Sequence, residues 1–524
     1  MAIFIEHPCE SVARSPGRGQ PAVAAGTWVL IATVLGSAMP MIDGTAVNVV
    51  LPILQRDMHA DAATVQWIVE GYALFLSALI LIGGALGDVF GRRRLFVLGS
   101  VLFALASGAC AISVNAAELI VARCVQGVGA ALLVPESLAL ISAQFVPQER
   151  AKAIGTWSAF SAISAAIGPV LGGYIAQHFS WRWVFLINVP ISAFIIYLSL
   201  RHISESHDQT VSRSVDIVGA ILASLGLGGI VYALIASQGH SVQALPLGIG
   251  IASLIVLAVF IYYESRAANP MMPLTFFRSA TFSGANAYTL LLYAGLGGGL
   301  FFIPFDLINV QHYTPTAAGA AMLPMIVLLF ALSRYSGSLS AKIGARPLIV
   351  SGALVAALGF LLFGLAGQGR SYWISFFPAS VVLGLGAAMF VAPLTATVMN
   401  SIESAHAGSA SGINNAISRT AALLAVAALG VVLTMVFFSN YDRNIAQATI
   451  SPPTRASLVR DRDRLATGYL PAAIRGSERQ EVGRIVESAF AQGFFYTMII
   501  SAILACAAAG IAVVSLKPAP RTST

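Results

Sequence analysis

Gly84-Ala-Leu-Gly-Asp88-Val-Phe-Gly91-Arg92-Arg93-Arg94 ends one apolar run, Val65–Leu86, and leads into the next, Leu95–Ser113. Each run has about the 20 residues that cross a hydrocarbon core as a helix. Gly91 lets the chain turn sharply between them, and the arginines keep the turn in water. The stretch therefore reads as a helical hairpin that enters and leaves a bilayer. Working outward, the same unit recurs along the chain. The runs before and after it are Thr27–Leu51, Ala117–Ala143, Ala151–His178, Trp183–Leu200, Val215–Ser237 and Ala244–Tyr263. Six more follow: Thr281–Leu307, Thr316–Leu339, Pro347–Gly367, Ser371–Met399, Ala407–Phe438 and Ala491–Leu516. Fourteen membrane-spanning helices are expected.

Composition agrees. Of 524 residues, 57% are hydrophobic and 10% charged, against about 25% charged in soluble domains. Mean hydropathy is +0.82. Such a chain cannot cover a water-facing surface, so a soluble enzyme, a nucleic-acid binder or a disordered scaffold is excluded. The net charge of +7 is scattered over short loops and points to no nucleic acid. Cys9, Cys110, Cys124 and Cys506 form no C-x-x-C pair, which argues against a zinc site or a disulfide framework.

Arginine and lysine orient the chain. With the N-terminus cytoplasmic, Arg14, Arg18, Arg92, Arg93, Arg94, Arg150, Lys152, Arg201, Arg213, Arg266, Arg278, Arg334, Lys342, Arg346, Lys517 and Arg521 lie inside. Only Arg56, Arg182 and Arg370 fall in short outer loops. Both termini are thus expected in the cytoplasm, in a cell (inner) membrane. The segment 439–490 is the one sizeable outer piece, with a short amphipathic helix near Arg479–Ser488. Gly84-x-Leu86-x-x-x-x-Gly91-x-Arg93 recurs as Gly337-x-Leu339-x-x-x-x-Gly344-x-Arg346. Both copies follow the second helix of a six-helix unit, if the seventh and eighth helices are an insertion. Two related halves are a transporter pattern. The chain divides into a tail (1–26), a six-helix bundle (27–200), two inserted helices (201–263), a second six-helix bundle (264–516) and a tail (517–524). The fold class is an all-α polytopic membrane protein.

The Gly84–Arg94 loop resembles the signature loop of the major facilitator superfamily, G-x-L-a-D-r-x-G-r-k, departing at Val89 where a basic residue is usual. Leu119-Ile-Val-Ala-Arg123-Cys-Val-Gln126-Gly127-Val-Gly129-Ala130-Ala131 is similar to that family's fourth-helix element. Gly168-Pro169-Val-Leu-Gly172-Gly173 resembles the G-P-x-x-G-G motif of its antiporters. Asp43-Gly-Thr45-Ala-Val-Asn48-Val-Val-Leu51-Pro52 and Trp181-Arg182-Trp183-Val-Phe-Leu-Ile-Asn188-Val-Pro190 look like its fourteen-helix drug:proton antiporter branch. The resemblance implies two bundles around a central cavity, working by alternating access. Ala341 stands where Asp88 stands in the first copy, so an acid latch is expected on the N-terminal side alone.

Intramembrane charges are costly and default to function. Asp43, Glu70 and Arg123 lie at similar depths, about 8–14 Å below the outer surface at 1.5 Å per residue. Together they can satisfy one another, either as a static ion pair or as a proton site, with an interfacial position as the alternative for Glu70. Burial favours the neutral acid and the guanidinium favours the ionised one, so small rearrangements could load and release a proton. Glu136, in the cytoplasmic half of the fourth helix, is a candidate cavity residue or a local pair. Arg419 and Asn48 are further cavity candidates. Asp306, two residues past Pro304, reads as a loop-proximal, solvated acid. Asp88, Gly91, Arg92 and Arg93 are the expected gate, and Gly168, Pro169, Gly172 and Gly173 the expected hinge.

No G-x-x-x-x-G-K-[ST] loop is present, so the chain carries no such ATP site. An ion gradient is the expected energy source, with no cofactor and no metal. Scattered histidines and the absence of H-E-x-x-H and G-x-S-x-G argue against a membrane-embedded enzyme. The expected activity is proton-coupled export of small amphipathic, often cationic compounds. The expected partners are a small-molecule substrate, protons and membrane lipid, with a periplasmic adaptor left open. Export of one defined metabolite or antibiotic, and a non-transporting sensor or scaffold, are the alternatives.

Overall fold

The computed structural model describes residues 23–145, 147–206, 216–238, 243–268, 270–367, 371–402, 407–466, 470–471 and 474–516. The side chains of Asp88, Arg334 and Ala341, among others within those spans, lie outside the description, as do both chain termini. Helices account for almost all of it, and no strand occurs among the described residues.

The first bundle holds α1 (Val23–Met58), α2 (Ala62–Phe90), α3 (Arg92–Ile112), α4 (Ala116–Gln144), α5 (Pro147–His178), α6 (Arg182–Leu186) and α7 (Asn188–His202). Next come α8 (Ile217–Ala236) and α9 (Ala244–Arg266). The second bundle holds α10 (Ala280–Phe305), α11 (Pro315–Ala320), α12 (Leu323–Ile343), α13 (Ala345–Gly364), α14 (Phe376–Asn400) and α15 (Ala407–Gln447). It closes with α16 (Pro452–Arg460), α17 (Arg462–Leu465) and α18 (Gly476–Ser515).

Local chemistry sets many of these ends. Asp61 and Asn115 cap α2 and α4 by accepting from Thr64 N at 2.8 Å and Glu118 N at 2.9 Å. Gly91 ends α2 and starts α3 at φ 108°, and Gly344 joins α12 to α13 at φ 88°. Both values fall where a side chain is strained, so the repeated glycine is a backbone requirement of both hairpins.

Thirteen spans among the described residues are long and apolar enough to cross a membrane. Pro147–His178, a 32-residue helix, occupies the place of the expected fifth crossing. Two expected helices are broken. The sixth divides at Ile187 into α6 and α7, because Pro190 has no N–H to give Leu186. The tenth divides before Pro324 in the same way, into α11 and α12. The long segment 439–490 is largely helical where described, since α15 runs on to Gln447 and α18 begins at Gly476, so 479–488 belongs to the last long helix.

Helix pairing repeats between the bundles. In the first, α1 packs on α5, α2 and α3 on α4, and α7 on α3. In the second, α10 packs on α15, α12 and α13 on α14, and α18 on α13. The inserted pair packs on itself and lays α8 against α2 and α15. The far side of α9 carries exposed Leu245, Leu247, Ile251, Leu254 and Ile255, an apolar face of the kind that lipid covers. The bundles meet where α5 packs on α11, α2 on α15 and α1 on α10.

Candidate functional site

Arg123 and Gln126 stand three residues apart on α4 and share a face. Arg123 is fully buried (0% exposed) and Asp43 of α1 nearly so (1%). The guanidinium Nη1 donates to Asp43 Oδ2 at 2.5 Å and to Gln126 Oε1 at 2.6 Å, while Nε donates to the Ile68 carbonyl at 3.0 Å. Its flat face covers the Tyr72 ring, 4.2 Å from the centroid. Tyr72 in turn donates to the Pro40 carbonyl at 3.2 Å, which ties α2 to the turn of α1 before Asp43.

The other carboxylate oxygen, Oδ1, accepts from Gln126 Nε2 at 3.0 Å and from Asn188 Nδ2 at 2.9 Å. Gln126 Nε2 also reaches Ser107 Oγ at 2.8 Å. Side chains of α4 and α7 thus converge on one carboxylate of α1, with Ser107 of α3 behind them, and the break after α6 delivers Asn188 to it. Three donors away from water suit an anionic acceptor. A proton placed on Asp43 would remove the charge that Arg123 faces, and the donors would have to redistribute.

The expected trio is only partly assembled. Glu70 is buried (1% exposed), and neither of its oxygens has a hydrogen-bond partner. It shares a face of α2 with Trp67 and Leu74, which pack on α8 and α15, and with Gln66, which accepts from Gln238 Nε2 at 2.6 Å. The common depth expected of the three residues did not include the facing of Glu70. Arg419 on α15 is half-buried, with an unpartnered Nε, and lies within electrostatic reach of Tyr72. Tyr72 is thus within electrostatic reach of both arginines. Asn48 is half-buried and its Oδ1 is unpartnered.

Glu136 is fully buried, with its carboxylate packed over the Cα of Gly87, at the base of the Gly84–Arg94 loop. Asp306 is buried (2% exposed), which corrects the expectation of a solvated acid. A π-turn, Asp306–Val310, folds it inward, and Gln311 Nε2 donates to it at 3.3 Å.

The expected gate residues are anchored within their own bundle. Glu205, just past α7, accepts from Arg93 N at 3.0 Å and approaches Arg93 Nε at 3.8 Å and Arg94 Nε at 3.6 Å. Arg92 N donates to Ser206 O at 2.9 Å. A Cβ on Gly91 would strike the Glu205 carboxyl at 2.7 Å. The side chain of Asp88 lies outside the described residues.

The expected hinge lies in the seam between the bundles. A Cβ on Gly172 would meet Ala46 Cβ at 2.7 Å, and one on Gly168 would meet the Ile42 carbonyl at 2.9 Å. Gly173 presses on Pro315, and Gly319 on the carbonyl of Pro169. The turn of α1 that bears Asp43 thus touches α5, and α5 touches α11 of the second bundle. Arg56 of α1 adds a cross-bundle bond to Asn309 Oδ1 at 3.0 Å.

Paired six-helix bundles with a buried ion pair in one of them define a membrane transporter fold. The chain matches the family model "Major Facilitator Superfamily" over residues 33–426, and it belongs to that family. It is 31% identical over 523 residues to the tetracenomycin C resistance and export protein of Streptomyces glaucescens, covering 97% of this chain and 95% of that one. It is 34% identical over 435 residues to the multidrug resistance protein Stp of Mycobacterium tuberculosis (strain CDC 1551 / Oshkosh), covering 81% and 79%. Among solved structures it is similar to an inward-facing, occupied bacterial homologue of the human lysosomal transporter Spinster. The TM-score is 0.65 at 16% identity, over 93% of this chain and 96% of the other.

Proposed function

We propose that the protein exports small amphipathic, often cationic compounds across the cytoplasmic membrane in exchange for protons, by alternating access. The observation that carries this reading is the buried Asp43–Arg123 pair on a helix that also packs on the hinge. Asp43 is the proton carrier, Arg123 its counter-charge, and Gln126 and Asn188 hold the carboxylate. Protonation loosens this network, lets α1 shift against Gly168 and Gly172, and passes the movement through Pro169 and Gly173 to α11. Glu70 is a second membrane acid on the α8/α15 side. Arg419 and Asn48 border the substrate path. Gly91, Arg92 and Arg93, with Asp88, belong to a cytoplasmic gate that Glu205 braces. Both termini are cytoplasmic and the energy source is the proton gradient.

The test uses everted vesicles from an efflux-deficient host, with an imposed pH gradient and a fluorescent cationic dye. Dye uptake should follow the gradient, and adding substrate should release protons. Uptake that ignores the gradient would overturn proton coupling. A second reading, export of one defined antibiotic, is favoured by relatives named for single compounds, such as the tetracenomycin C protein. A resistance panel separates the two: protection against many unrelated amphipathic compounds supports the first, protection against one supports the second.

A further inference from the structure

The two inserted helices hold a carboxyl pair that the transport network does not use. Asp216 caps α8, its Oδ1 accepting from Gly219 N at 2.8 Å. Glu264, in the last turn of α9, is 2% exposed, and its Oε2 accepts from Met272 N at 3.0 Å. The two remaining oxygens, Asp216 Oδ2 and Glu264 Oε1, are buried and have no donor. They face one another across Gly219: an added Cβ there would meet the first at 2.6 Å and the second at 2.7 Å. The pair stands at the Gly91 end of the molecule. Helix α8 runs antiparallel to α2, with Gln238 at Gln66 and Gly228 at Leu74, so the start of α8 lies beside the end of α2.

Two buried carboxylate oxygens that face each other without a donor cannot both stay ionised at low cost. One proton resolves both vacancies, because an O–H formed on either oxygen donates to the other. The pair then carries one negative charge instead of two. Among the described residues, Tyr263 is the neighbouring titratable group, on the same turn of α9 as Glu264; its hydroxyl is a donor toward Asp216, while Asp216 Oδ2 and Glu264 Oε1 keep no partner. Arg266 sits over the Tyr262 ring, 5.4 Å from its centroid. Helices α2 and α15 meet α8 farther along it, through apolar Leu74, Leu423 and Ala427.

We propose that Asp216 and Glu264 bind one proton between them, outside the transport path, and that this proton fastens the connector at Met272 to the inserted helix pair. The connector leads from α9 into the second bundle. Loss of the proton leaves two like charges face to face, drives Glu264 away and frees the connector. The site therefore responds to pH on the face that bears the Gly91 and Gly344 turns. Calling that face cytoplasmic rests on the orientation given under the proposed function.

The test needs neither substrate nor gradient, so its failure and the failure of the export reading are separable. Full-length protein in lipid nanodiscs is followed by amide hydrogen exchange at Met272 and by the infrared band of protonated carboxyls, from acid to alkaline pH. In the native protein, exchange at Met272 should rise about tenfold more than in Glu264→Gln over the same range. Gln keeps the acceptor for Met272 N and donates an amide to Asp216 without a proton, so that variant should stay protected throughout. Asp216→Asn should do the same, and each variant should lose part of the protonated-carboxyl band. Gly219→Ala, which wedges a methyl between the carboxyls, should lose protection at every pH. An unchanged band in both Glu264→Gln and Asp216→Asn, or parallel exchange in the native protein and Glu264→Gln, overturns the proposal. Those two variants decide the matter even if Gly219→Ala fails to fold.

Discussion

Replacing Asp43 by Asn keeps the shape of the buried network and removes its charge. Asp43 accepts from Arg123 Nη1, Gln126 Nε2 and Asn188 Nδ2 with its two oxygens. Asn offers one oxygen and one NH2. Whichever way the amide turns, a donor faces a donor, and Arg123, fully buried, has lost its counter-ion. Removing one partner of a buried pair costs about 3–5 kcal/mol in soluble proteins. At about 1.4 kcal/mol per factor of ten, the lower figure disfavours this arrangement by about two powers of ten. Gradient-driven export by Asp43→Asn should accordingly fall by about a hundredfold or more. Substrate-for-substrate exchange at equal pH moves no net proton and should survive. The assay is everted vesicles carrying matched amounts of each protein, with a pH dye to follow proton release. A stably inserted Asp43→Asn protein that still couples export to the gradient would refute the reasoning and take Asp43 out of the proton path.

Arg123→Ala should be more damaging than Arg123→Lys, because Ala leaves Asp43 without any counter-charge; equal, near-normal transport by both would make Arg123 peripheral. If Lys fails as fully as Ala, the fork that holds Asp43, Gln126 and the Ile68 carbonyl at once matters more than charge. Gly172→Ala should cost about 1–3 kcal/mol of overpacking against Ala46 and lower thermal stability and transport together, whereas Gly108→Ala, with nothing near its Cβ, should be silent. Asp88→Asn should slow transport and raise labelling of cysteines placed on the cytoplasmic cavity wall; lost transport with unchanged labelling would remove Asp88 from the gate.

The chain supports an expectation of position along the membrane normal, but none of rotation about each helix axis. Apolar runs and 1.5 Å per residue put Asp43, Glu70 and Arg123 at one depth, but depth is one coordinate of three. Arg123 turned its Nε to the Ile68 carbonyl and its Nη1 to Asp43, while Glu70 went to the face of α2 that meets α8 and α15. Which face of α2 meets which neighbour depends on packing that no local pattern encodes. Gln126 was within reach of sequence reasoning, since three residues on a helix return to the same side. Asn188 was not, because its approach to Asp43, 145 residues away, depends on a break that only Pro190 hints at. Asp306 needed a π-turn, and Glu205 needed the chain beyond α7 to fold back on the Gly91 turn. Gly91 and Gly344 mark the other extreme. Their requirement is local, a left-handed backbone in a two-helix turn, and so a repeat of four residues found them both. Features fixed by one helix or one turn were legible, and those fixed where several helices meet were not. In this fold the donors that complete the Asp43–Arg123 pair, Gln126 and Asn188, and the carboxyl pair at Gly219 belong to the second kind.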